Sequence, residues 1–72
     1  MNPHETAVSA IDAAIQTMLL PGAGAIEEAK AETLIVAYFS LLAIDAEEFN
    51  HYCERVRRIS QRRKEAGCLL PQ

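Results

Sequence analysis

A chain of 72 residues, half of them apolar and with a formal net charge of −3, is at most one domain and is too rich in core-forming side chains to be intrinsically disordered. It buries only about 60% of the surface its unfolded form exposes, so stability must come from good helix packing, a metal, disulfides or a second copy of the chain. Its longest apolar run, TLIVAYFSLLAI at residues 33–44, is far short of the ~20 residues that cross a bilayer.

The start, MNPHETAV, lacks the basic and apolar regions of a signal peptide, and the end, CLLPQ, misses the prenylation pattern by one position. The expectation is a cytoplasmic protein that makes no use of a membrane. Asn2, Pro3 and Glu5 supply an N-cap, a first-turn proline and a capping-box acid. They predict a first helix over 3–20, with Val8, Ile11, Ile15, Met18 and Leu19 on its apolar side. LLPGAG then stops it.

A second helix is predicted over 25–42, with Glu27 and Glu28 in its first turn, where acids suit the positive end of the helix dipole. A strand is excluded because the apolar run has no period of two. On a helical wheel Leu34, Tyr38 and Leu41 point roughly 80 to 100° away from Ile35, Phe39 and Leu42, which gives this helix two apolar walls. Either the first and third helices cover one wall each, or one wall meets another chain.

The third helix, predicted over 46–66, opens on Asp45 as N-cap with Glu48 closing a capping box, and Ile44 and Phe49 stand at the positions of a hydrophobic staple. Phe49, Tyr52, Val56, Ile59, Arg63 and Ala66 follow a seam of threes and fours. Gly67 fits a left-handed stop, with Cys68, Leu69 and Leu70 folding back. Cys53 and Cys68 lie too far apart on one helix for a bridge between them. Cys53 reads as a small core residue and Cys68 as a thiol able to link two chains.

The architecture expected is all-α: one three-helix domain over residues 1–72, in which the second and third helices form an antiparallel hairpin and the domain pairs as a homodimeric helical bundle. Residues 1–48 carry eight acids against Lys30, a net of −7, while residues 49–72 carry six basic side chains against two acids, a net of +4. His51, Arg55, Arg58 and Arg62 form a stripe that invites a nucleic-acid reading. The same charges also fall where an antiparallel hairpin would set Glu27, Glu28 and Glu32 beside Arg58, Arg62, Arg63 and Lys64.

Glu48 and His51 have the spacing of carboxylate-bridged metal sites, but the facing positions Leu41 and Leu42 offer no ligands, so neither metal nor cofactor is expected. No nucleophile has a base at helical spacing, and PGAGA lacks the Lys-Ser of a phosphate loop. What remains is a non-enzymatic protein-protein interaction module, a regulator, antagonist or adaptor. Its interface would be built from Ile35, Tyr38, Phe39 and Leu42 with Glu28 and Glu32 as rim charges, and its partners would be itself and another protein. The weaker alternative is a dimeric DNA-binding regulator that uses the basic stripe.

Overall fold

The backbone forms three helices, α1 (Pro3–Met18), α2 (Ala25–Ser40) and α3 (Ala46–Leu69). The structure is a computed structural model that describes residues 2–69, with side chains described as far as Lys64. α1 begins as its sequence dictates. The Asn2 side chain accepts a hydrogen bond from the His4 N–H at 2.8 Å, and Pro3 occupies the first turn, where no N–H is needed.

α1 stops at Met18, two residues earlier than its apolar pattern suggests, because Leu19 and Leu20 turn their N–H groups back to the carbonyls of Gln16 and Thr17. Leu20 to Ala23 then close a type II turn: the Ala23 N–H reaches the Leu20 carbonyl at 3.1 Å, Pro21 takes the second position and Gly22 the third. Gly22 has φ of 83°, which only glycine adopts without strain. At the start of α2 the Glu27 carboxylate accepts the Gly24 N–H at 2.6 Å, so Glu27 acts as a cap rather than as a partner for α3.

α2 ends at Ser40 in a Schellman motif. The Leu42 N–H bonds the Phe39 carbonyl at 3.0 Å and the Ala43 N–H bonds the Tyr38 carbonyl at 2.9 Å. The motif needs a left-handed residue after the cap, and here that residue is Leu42, at φ of 61° and 87% exposed. Leu41 and Leu42 therefore lie beyond the helix that the sequence assigns to them.

α3 opens with the expected reciprocal box, in which the Glu48 N–H donates to Asp45 Oδ1 at 2.8 Å and the Asp45 N–H donates to Glu48 Oε1 at 3.1 Å. At the other end the helix runs on to Leu69 instead of stopping at Gly67. Glycine permits a left-handed stop without compelling one, and its cost inside a helix is only about 1 kcal/mol. The folding back of Cys68, Leu69 and Leu70 and the place of Ala66 in the seam concern side chains outside those described.

The helices run up, down and up. The rings of Phe39 and Phe49 meet at 4.4 Å between centroids at one end of the α2–α3 pair, and Glu28 meets Arg63 at 3.3 Å at the other, which makes that pair antiparallel. α1 lies parallel to α3, since His4 reaches Glu48 at 2.6 Å and Asp12 reaches Arg55 at 3.0 Å. Ala7, Ile11, Ile15 and Met18 of α1, Ala31 and Ile35 of α2, Ile44, and Tyr52 and Val56 of α3 form one core. The buried row of α1 thus begins at Ala7 rather than at the half-buried Val8, and Leu19 is exposed. Among the described residues no helix is long and apolar enough to cross a membrane.

Candidate interaction surface

The two apolar walls of α2 are packed against the chain's own helices as far as Phe39, and beyond it Leu41 and Leu42 are exposed. Ile35 is fully buried, and Leu34, Tyr38, Phe39, Phe49 and Ile59 are half-buried against the core. The placement of Ile35 on a partner surface needs correcting, since Ile35 belongs to the chain's own core, while Tyr38 and Phe39 pack on the edge of that core and keep part of their surface exposed. Of the expected apolar interface residues only Leu42 stands free, and it stands on the connection to α3 rather than on the helix.

A third side of α2, which shares only Leu41 with the two walls, is open to solvent. Ile26 is 68% exposed and, just past the last turn, Leu41 74%, whereas Val36, 53% exposed, borders the α2–α3 groove beside Glu32. Ala29, Thr33 and Ala37 are exposed between them. The Thr33 hydroxyl donates to the Ala29 carbonyl at 2.8 Å, so its polar atom is satisfied on its own helix and its methyl group is left to face outward. Lys30 is the one charged residue among these, since Glu27 caps Gly24, Glu28 meets Arg63, and Glu32 lines the groove between α2 and α3. Ile26, Ala29, Lys30, Thr33 and Leu34 together line an open, almost wholly apolar depression of about 500 Å³. An amphipathic helix normally turns its apolar stripe to the core and its charges to water, and here a strip with one charge faces water.

Two ion pairs, Asp12–Arg55 and Glu28–Arg63, join the acidic half of the chain to the basic half. Arg63 pairs with Glu28, as the hairpin geometry requires, although the second terminal nitrogen of Arg63 is buried without a partner. In the basic stripe Arg55 is held by Asp12 and lies 5.9 Å from the centre of the Tyr52 ring, and Arg58 pairs with Glu54, which also pairs with Arg57. His51 packs edge-on against Tyr52 at 5.3 Å and is exposed, as is Arg62. Two of the four stripe residues are thus engaged by acids of the chain itself, which lowers the charge they offer a phosphate backbone.

Cys53 is exposed rather than a core residue, and it lies in the groove that Glu32 and Arg57 border. Partial burial first, and the nearby Glu32 second, push its thiol above the usual range against the opposing pull of Arg57, so it is mostly protonated and a poor nucleophile at neutral pH. The Tyr52 hydroxyl is likewise pushed up by burial and then by Asp12 and Glu48.

Glu48 has its two oxygens engaged by the Asp45 N–H and by His4. The hydrogen bond from His4 first, and that from the Asp45 backbone second, hold its carboxyl below the usual carboxylate range. Neither contact involves His51, so the Glu48–His51 spacing does not form a pair of ligands, and among the described residues no three of His, Cys, Asp and Glu converge to hold a metal ion. No protein-family model, curated protein or solved structure matches this chain, and the bare side of α2 is the feature on which a functional reading must stand.

Proposed function

We propose that this chain is a small non-enzymatic interaction module, a regulator or adaptor of the cytoplasm, that works by docking the bare side of α2 onto another protein chain. One observation carries the reading: the chain's own helices pack against the two apolar walls of α2, while a third side presents Ile26 and, just past the helix, Leu41 to water with Lys30 as the sole charge between them. Interfaces of this size class draw their energy from a few large apolar side chains inside a polar border. Engagement of Glu48 in a cap and by His4, and of Arg55 and Arg58 by acids of the chain, argues against catalysis and against DNA as the target.

The test compares the wild type with Ile26→Glu, a change at an exposed position that leaves the core untouched. Each is immobilised and exposed to native cell extract, and each is separately examined for self-association. The reading expects at least one protein, another chain or a second copy of this one, to be bound in stoichiometric amount by the wild type and lost from the variant at unchanged helicity. A wild type that binds neither itself nor any protein sensitive to Ile26→Glu refutes it, and sequence-specific binding of duplex DNA at physiological salt replaces it with the basic stripe.

A further inference from the structure

The geometry points to a second copy of this chain as the occupant of the bare side, with α2 packed antiparallel against α2 of the second copy around a two-fold axis level with Thr33 and Leu34. This inference rests on the proposed docking role of α2 and names its partner.

Three observations select that occupant. The first is exposure. The exposed side chains of the longer α3 include Arg58, Arg62 and Lys64, which are at home in water, whereas Ile26 on α2 and Leu41 just past its end are apolar and 68% and 74% exposed.

The second is the order of side chains along the face. An antiparallel pairing about the midpoint of Thr33 and Leu34 sets Ile26 of each copy level with Leu41 of the other and sets the small Thr33 near the axis. The side chain of Leu41 then enters the depression bordered by Ile26 and Lys30. Both large exposed ends of the face find an apolar partner in one operation, as a self-complementary two-fold contact requires.

The third is charge. α2 has no basic residue in its last turn, although the negative end of a helix dipole favours one there. The antiparallel arrangement brings Lys30 of the second copy opposite Ala37, beside that turn. It also separates the two Lys30 ammonium groups by about 10 Å along the axis at 1.5 Å per residue, whereas a parallel pairing would set them side by side.

Sedimentation of the full chain at micromolar to millimolar concentration is the first arm of the test. The wild type is expected to reach a dimer. Thr33→Glu and Ile26→Glu, the first bringing two carboxylates together near the axis and the second setting a carboxylate against Leu41 of each copy, are expected to raise the dimer dissociation constant at least about 30-fold at unchanged helicity and melting cooperativity. A monomeric wild type overturns the inference, and so does a dimer that both variants leave intact. In either case the docking role of α2 still stands if the extract yields a foreign protein that Ile26→Glu loses.

Orientation is read by oxidation in a background of Cys53→Ser and Cys68→Ser. Ile26→Cys combined with Leu41→Cys is expected to form covalent dimers, and Ile26→Cys alone is not. Crosslinking by Ile26→Cys alone, or none by the combined variant in a dimer, overturns the antiparallel arrangement.

Discussion

Replacing Leu42 by Gly is expected to stabilise this protein, even though it removes a large apolar side chain. The residue sits at φ of 61°, the left-handed position of the Schellman motif that ends α2. For a side chain with a β-carbon that conformation costs about 1–2 kcal/mol. Glycine removes the strain but gives the unfolded chain more freedom, which takes back roughly 0.5–1 kcal/mol. The side chain itself contributes little, because it is 87% exposed and full burial of a leucine is worth only about 1.5–3 kcal/mol, so its loss costs about 0.3 kcal/mol. The balance is a gain of about 0.5 kcal/mol, which in a domain of this size raises Tm by roughly 2–4 °C. Thermal unfolding followed by circular dichroism at fixed low protein concentration reads it. Leu42→Ala, which keeps the β-carbon and hence the strain, serves as the control and is expected to melt at or slightly below the wild type. If Leu42→Gly melts no higher than Leu42→Ala, the strain argument is wrong.

Asp45→Ala removes the side-chain half of the α3 capping box and is expected to cost about 1 kcal/mol, read as a lower urea midpoint at unchanged slope; an unchanged midpoint contradicts the cap. Glu48 has a folded pKa below its unfolded value of roughly 4.3, so its charge adds stability that is fully present above that value and is lost as pH falls through the folded pKa. The stability difference between the wild type and Glu48→Gln is therefore expected to stay constant above about pH 5 and to shrink on acidification. A difference that does not change down to about pH 2.5 removes the role assigned to the His4–Glu48 pair.

Helix starts were legible because their chemistry is local: Asn2 with Pro3, and Asp45 with Glu48, each announce a first turn and each form the bonds expected. Helix ends were not. Leucine is a good helix former, so Leu19, Leu20, Leu41 and Leu42 read as helix, and nothing in a leucine signals that Leu42 will take the place glycine usually fills. Gly67 carries the opposite lesson, a residue suited to a stop that lies within α3.

The apolar run 33–44 marks two walls of which Ile35 is core and Leu34, Tyr38 and Phe39 pack on its edge, whereas Ile26 lies outside that run. The signal for the bare face was available as an absence of charge, since all of the acids of α2 fall on its other sides. The Asp12–Arg55 pair depends on the register between helices far apart in sequence, which local patterns do not encode.

The central place of α2 also sets the order in which the molecule assembles. Both of its packed neighbours are its neighbours in sequence, joined through the short connections at residues 19–24 and 41–45. Two helical hairpins that use different walls of the same helix can form independently, and such local topology folds in microseconds to milliseconds. The His4–Glu48 and Asp12–Arg55 pairs span 44 and 43 positions, and loop-closure entropy predicts that they form after both hairpins. Interactions formed that late are expected to stabilise the native state without steadying the transition state. Weakening either pair therefore speeds unfolding and leaves the folding rate nearly unchanged.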